Sequence, residues 1–281
     1  MTNSNNKSRV KDIRERPLRE EACSPATEMS VFSSAPPRAE AFYAECLRLL
    51  SESGIPFLLG GSFAVSAYTG SPPPEKDLDV FCKAGDYPRI LAHFRGLGYD
   101  TEVEDERWIA KIKRDGLFVD VIFNSTIAIV PVTEQWFENA VTVDVSGRAV
   151  PVLSPTELIW SKVFVQDRCR YDGADVVHVI LTQCENIDWR RLLSHMEQYW
   201  EAMLAHLINF RFVYPTERHR IPRWLMDELI DRLQQSLELP IPRMKICRGR
   251  LFSRNDYYLD ISQWGFADLI GEGGKSDANG E

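Results

Sequence analysis

Apolar positions along this chain recur with two different periods, and the change between them divides it. From Arg38 the positions Phe42, Cys46, Leu49 and Leu50 follow the three- and four-residue spacing of a helix, which Gly54 ends. Shorter apolar runs then predict strand 56–60, helix 62–69, strand 77–82, helix 87–97 and strands near 99–104, 107–113 and 117–123, with Gly116 in the last turn. After Pro151 the strand-like alternation stops. Pro155 opens a helical pattern, and segments 154–168, 174–184, 188–197, 199–213 and 222–237 keep helical spacing, as in Leu225, Leu229 and Leu233. The expected organisation is an α/β core over 37–150 and an all-α helical domain over 151–268. Residues 1–36 and 269–281 lack periodic apolar positions and predict flexible tails.

The densest chemistry lies in residues 55–80, IPFLLGGSFAVSAYTGSPPPEKDLDV. Gly60, Gly61 and Ser62 sit where a strand turns into a helix. Glycine permits the tight turn, serine caps the helix, and free N–H groups at a helix start can hold phosphate oxygens. Gly61 is expected to let the backbone approach a phosphate where a Cβ would intrude. Asp77 and Asp79 are two residues apart in a strand, so they face one side about 6.6 Å apart, while Leu78 and Val80 face a core. Two like charges on one strand face point to a divalent cation between them. Asp120 stands inside the apolar run 117–123, where a carboxylate needs a partner.

These elements in this order resemble the nucleotidyltransferase superfamily that includes DNA polymerase beta and the small-molecule, antibiotic and toxin-type nucleotidyltransferases. The matching residues are Leu59-Gly60-Gly61-Ser62, then Lys76-Asp77-Leu78-Asp79-Val80, then the third carboxylate Asp120. The resemblance covers residues 55 to 125 directly. It implies an α/β (α+β) core with a mixed sheet and a helical appendage over the nucleotide cleft. It also implies Mg²⁺ (or Mn²⁺) on Asp77, Asp79 and Asp120, an NTP such as ATP held at its β/γ end by Gly60, Gly61 and Ser62, and Asp120 accepting the proton of an acceptor hydroxyl. Lys162 occupies the position of a family lysine beside the triphosphate; a paired helix-surface lysine is the other reading of that residue. Arg168 and Asp172 read as structural inter-helix pairs. Where many relatives carry Arg and Thr before the Asp-x-Asp, this chain has Pro72-Pro73-Pro74-Glu75-Lys76.

Composition sets the remaining bounds. At 281 residues and 44% hydrophobic content the chain can build one large or two modest domains. No apolar run is long enough to cross a bilayer and the N-terminus is polar, so no membrane association and a cytoplasmic location are expected. Six scattered cysteines and five histidines show no metal-ligand spacing, and the cysteines read as mostly buried thiols. Gly274-Lys275-Ser276 lacks the first glycine and preceding strand of a phosphate loop. The net charge of −8 argues against nonspecific nucleic-acid binding, although ten basic residues face five acidic ones between Arg211 and Arg254. The favoured acceptor is a small molecule. A toxin-type transfer to tRNA or protein is the alternative acceptor class, and a catalytically inactive nucleotide-binding module is the rival from outside enzymology.

Overall fold

The computed structural model describes residues 37–71, 77–125, 128–145 and 147–268. Both expected tails, the Pro72–Lys76 segment, Cys23 and Gly274-Lys275-Ser276 lie outside the described residues. Helix α1 (Pro37–Ser53) buries Phe42, Tyr43, Cys46, Leu47 and Leu50, the stripe that its spacing predicts. The chain continues through β1 (Leu58–Leu59), α2 (Gly61–Thr69), β2 (Leu78–Phe81), α3 (Tyr87–Gly96), β3 (Asp100–Asp105), β4 (Ile109–Arg114) and β5 (Leu117–Ile122). Asp115 and Gly116 both take positive φ (52° and 80°) between β4 and β5, the left-handed pair that a two-residue hairpin needs.

The sheet does not end there. A short helix α4 (Glu134–Glu138) leads into a hairpin, β6 (Val141–Val145) and β7 (Arg148–Val152), giving a seven-stranded mixed sheet of order β3-β4-β5-β2-β1-β7-β6. β2 runs parallel to β5 and antiparallel to β1, and β1 runs parallel to β7. Thus Pro151 and Val152 belong to the sheet. Alternation along β2 and β5 sends Leu78, Val80, Val119 and Val121 into the core and leaves Asp79 and Asp120 on the other face.

The second half is mainly helical: α5 (Pro155–Lys162), α6 (Gly173–Gln183), α7 (Trp189–His195), α8 (Trp200–Val213), α9 (Arg223–Leu237) and the short α10 (Tyr258–Ser262). α5 is shorter than its apolar pattern predicts. The Asp167 carboxylate accepts the N–H groups of Cys169 and Arg170 and turns the chain back toward α6. α2 packs on β2, α5 and α6, so helices of this half rest on the core. At the start of α5 the fully buried Glu157 accepts hydrogen bonds from Ser154 Oγ and from Arg191 Nε (2.9 Å), while Trp160 stacks on His195 at 3.8 Å. After α9 a two-stranded parallel ribbon, β8 (Ile246–Cys247) with β9 (Ala267–Asp268), brackets residues 249–257, a strap that returns to the core. No described helix is long and apolar enough to cross a membrane. Among the described cysteines Cys46, Cys82 and Cys247 are buried as thiols, whereas Cys169 is exposed in the α5–α6 turn.

Candidate active site

β1 delivers the chain into the Gly60-Gly61-Ser62 turn. Gly60 is extended, no side chain caps this nine-residue helix, and its first turn carries no acidic residue. The Gly60 N–H donates to the Asp79 carbonyl over 3.0 Å, fastening the turn to β2 beside the carboxylate. A Cβ on Gly60 would stand 2.2 Å from Phe81 Cε2. Gly61 is required twice over: its φ is +56°, and a Cβ would lie 1.7 Å from Asp79 Oδ2 and 2.6 Å from its Cγ. The group nearest to a side chain placed at Gly61 is the carboxylate of Asp79. Ser62 is buried, and its Oγ finds no hydrogen-bond partner among the described residues.

Asp79 and Asp120 are register partners on adjacent parallel strands, and Lys111 on β4 stands opposite Asp120. Burial first, then the Asp120 charge, pushes the Asp79 carboxyl up to about 7, with Asp77 adding to the rise and Lys162 and Arg170 pulling it down. Burial raises Asp120 as well, against the pull of Lys111, whose Nζ is 3.2 Å from Asp120 Oδ1 and 3.0 Å from Glu104 Oε2. Asp120 Oδ1 is buried and, beyond this charged neighbour, meets no hydrogen-bond partner among the described residues. Asp77 raises both Asp79 and Asp120, so the three carboxylates share one electrostatic neighbourhood. Tyr43 of α1 joins it: burial, and next the Asp77 charge, push its phenol up to about 12.

Lys162 ends α5 with its side chain only 5% exposed. Its Nζ lies 2.8 Å from Asp172 Oδ2 and 2.7 Å from Asp175 Oδ2, so this is a buried, doubly paired lysine rather than one on a helix surface. Arg170 grips Asp172 through Nε (3.0 Å) and Nη2 (3.1 Å). Arg168 does not face the carboxylates but pairs with Asp256 of the strap at 3.1 Å. A cavity of about 390 Å³ joins these parts: Gly61, Asp79 and Asp120 line it on the sheet side, Lys162 and Arg170 at the α5–α6 turn, and residues 250–255 on the strap side. Lys111 and Tyr43 carry no signal in the sequence, whereas Arg170 belongs to an Arg- and Asp-rich turn after Lys162, and the stretch from Arg250 through Tyr257, Tyr258 and Trp264 suggests a segment that wraps back onto the first domain.

Among the described residues no three His, Cys, Asp or Glu side chains converge closely enough to hold a metal as they stand. Like-charged carboxylates spread apart without a cation, and here Lys111 partly neutralises Asp120. The donor chemistry nonetheless fits a hard divalent ion: all three groups are carboxylates, Asp120 Oδ1 lacks a hydrogen bond among the described residues, and burial followed by the Asp120 charge raises Asp79, which a cation would counter.

Three solved structures are similar over most of their own length, each with a low TM-score. They are lincosamide antibiotic adenylyltransferase LnuA bound to lincomycin (TM-score 0.37, 16% identity, 52% of this chain and 96% of that one); ANT(2″)-Ia in complex with adenylyl-2″-tobramycin (0.35, 17%, 62% and 97%); and JHP933 from Helicobacter pylori (0.37, 12%, 80% and 96%). No curated protein matches the sequence significantly. The family model described as "Nucleotidyl transferase of unknown function" (DUF2204) matches residues 39–209, from α1 into α8 and through every candidate carboxylate. That span exceeds half of the chain, which therefore belongs to this family of nucleotidyl transferase enzymes.

Proposed function

We propose that the chain transfers a nucleoside monophosphate from an NTP to a hydroxyl of a small-molecule acceptor. Asp77, Asp79 and Asp120 would hold Mg²⁺ or Mn²⁺. The single observation that carries this reading is the fit of Gly61 against Asp79, in register with Asp120. It brings a phosphate-binding helix start and a carboxylate pair to the same wall of one cavity.

The N–H groups at the start of α2 and the Ser62 hydroxyl bind oxygens of the triphosphate. Lys162 and Arg170, already paired with Asp172, add a positive wall whose field reaches Asp79. The acceptor oxygen bonds to the α-phosphorus as the bond to the bridging oxygen breaks. Pyrophosphate leaves, and Asp120 Oδ1, buried and unsatisfied, takes the hydroxyl proton. When bound, the divalent ion neutralises phosphate charge and polarises the phosphoryl oxygens. No protein nucleophile takes part.

A small acceptor agrees with the cavity volume and with how the basic residues of 211–254 are used. Arg220, Arg223, Arg232, Arg248 and Arg250 all pair with carboxylates. These five of the ten basic residues are matched by carboxylates of the same chain, which reduces the positive charge on offer to RNA phosphates.

The test is purified protein incubated with each labelled NTP, Mg²⁺ or Mn²⁺, and a cell extract, followed by separation into RNA, protein and small molecules. Label in the small-molecule fraction that disappears with Asp79→Asn is the expected result. Label on RNA or protein, or none with any NTP, overturns the proposal.

A further inference from the structure

Rows of register partners cross the sheet face on which the carboxylates stand. Asp79 pairs with Asp120, and Lys111 faces Asp120 from β4, so one row is charged. The next row, about 6.6 Å along the strands, is wholly apolar: Phe81 pairs with Ile122, and Ile122 with Ile109. All three line the cavity beside Asp79 and Asp120. With strands about 4.8 Å apart, they form a platform about 10 Å wide. Phe164, just past α5, and Phe252 of the strap line the same cavity, their rings 6.4 Å apart. Phe252 lies beyond residues 39–209 of the family match.

Asn124 follows two residues after Ile122 and also lines the cavity. Its Oδ1 accepts the N–H groups of Ser125 (2.9 Å) and Val130 (3.1 Å), which fixes the orientation of the amide. Its Nδ2 meets no hydrogen-bond acceptor among the described residues, so the amide has only donors left to offer a ligand. Four residues of chain separate it from Asp120, a span of at most about 14 Å. The cations of the cavity wall already answer to carboxylates of this chain. Asp172 pairs with Lys162 and Arg170, Asp268 pairs with Arg250, and Asp105 and Asp268 both act on Arg254. An acceptor therefore need bring no charge.

The sheet order β4-β5-β2-β1 puts the start of α2 on the β1 flank of Asp79 and Ile109 on the β4 flank of Asp120. A triphosphate held at α2 and a body resting on the platform leave the carboxylates in different directions. The platform adjoins Asp120, the group that takes the acceptor's proton. We infer that Phe81, Ile122, Ile109 and the Asn124 amide form the acceptor subsite, so that the acceptor is an uncharged, largely apolar alcohol with a hydrogen-bond-accepting oxygen within about 14 Å of the transferred hydroxyl. The inference rests on the nucleotidyl-transfer reading for the place of the NTP and the role of Asp120. Apolar contact with the platform supplies affinity. The Asn124 donor, left empty, disfavours an alcohol that lacks the second oxygen.

The experiment separates a cell extract on cation- and anion-exchange resins and extracts the flow-through into ethyl acetate. Each pool is then offered to the full chain with labelled NTP and Mg²⁺. New labelled species should arise from the ethyl acetate pool. Asn124→Asp keeps an oxygen for Ser125 and Val130 but loses the donor, and should lower transfer at limiting acceptor about tenfold. Ile122→Thr keeps the branched shape that suits a strand and should also lower it about tenfold. Affinity of both variants for α,β-methylene-ATP, by calorimetric titration in Mg²⁺, should stay within about twofold, because the platform stands apart from the start of α2. Label only in the resin-retained pools, or unaltered transfer by both variants, overturns the inference and leaves the nucleotidyl-transfer reading standing. Variants that weaken the ATP analogue instead assign the platform to the nucleobase and also overturn it. If no pool takes label from any NTP, the nucleotidyl-transfer reading falls and the acceptor subsite with it.

Discussion

Gly61→Ala separates a glycine kept for its backbone angle from one kept for its neighbour. The new Cβ would start 1.7 Å from Asp79 Oδ2. An ordinary carbon–oxygen contact is about 3.3 Å, so the carboxylate oxygen must retreat by about 1.6 Å. The positive φ of +56° adds a backbone penalty of about 1–2 kcal/mol for any L side chain, and pushing Asp79 off its rotamer adds about 1 kcal/mol. Stability should fall by about 2–3 kcal/mol, a Tm drop of roughly 3–5 °C for a chain of this size. Activity should fall far more, by at least about 100-fold, because a reacting-site group is displaced by more than 1 Å. The assay is a double-mutant cycle in denaturant with a chelator present, run on wild type, Gly61→Ala, Asp79→Ala and the double variant. With Asp79 shortened only the backbone penalty remains, so a coupling of about 1 kcal/mol is expected. Equal cost of Gly61→Ala in both backgrounds would falsify the packing of Asp79 against this glycine.

Asp77→Asn, Asp79→Asn and Asp120→Asn should each abolish transfer without lowering the melting temperature of metal-free protein, since each relieves repulsion among buried carboxylates; a large drop in Tm would assign them a structural role. Arg191→Met leaves Glu157 buried without its cation and should cost about 3–5 kcal/mol by urea denaturation, with little change in NTP affinity. Burial alone would raise Glu157, but the nearby His195 ring, together with the Arg191 charge and hydrogen bonds from Ser154 and Arg191, outweighs it and holds the carboxyl below its ordinary value. Its stabilisation is therefore complete above the unfolded value near 4.5 and lost as the pH falls below it; Glu157→Gln should flatten that acid limb, and an unchanged limb would refute the assignment. Lys162→Met should lower Tm more than it raises the KM for NTP, because Asp172 and Asp175 both lose a partner; a KM effect without a Tm effect would return this lysine to the triphosphate.

The part of the site that is local in sequence is legible there. Gly60-Gly61-Ser62 and Asp77-Leu78-Asp79 announce themselves through spacing alone, and Asp120 through the apolar residues on either side of it. Lys111 and Arg170 could not be read in the same way. Lys111 reaches Asp120 through the β4–β5 register, and Arg170 enters the cleft only because the Asp167 turn reverses the chain. Tyr43 looks like one more apolar position of α1, and its electrostatic link to Asp77 exists only once α1 has packed. The β6–β7 hairpin did carry a signal, since Val141, Val143 and Val145 alternate and Gly147 turns the chain at φ +78°. Pro151 hid it by suggesting a boundary. Prolines are tolerated where a ladder is incomplete, and β1 pairs with β7 only at Val152.

That single pairing has a consequence for the order of events on the ribosome. β1 is two residues long and lies between β2 and β7, and Leu153 donates its N–H to the Leu59 carbonyl over 3.0 Å. The glycine turn follows Leu59 directly, so one flank of its support comes from chain synthesised long after the turn itself has left the exit tunnel. Closing so long a loop is slow compared with forming the β4–β5 hairpin. A nascent chain that stops before Val152 can therefore fold its hairpin and its first helices but leaves the turn propped on one side only. Nucleotide binding would thus arise late in synthesis, and chains released early by proteolysis or premature termination would carry the carboxylates without a finished grip for the triphosphate.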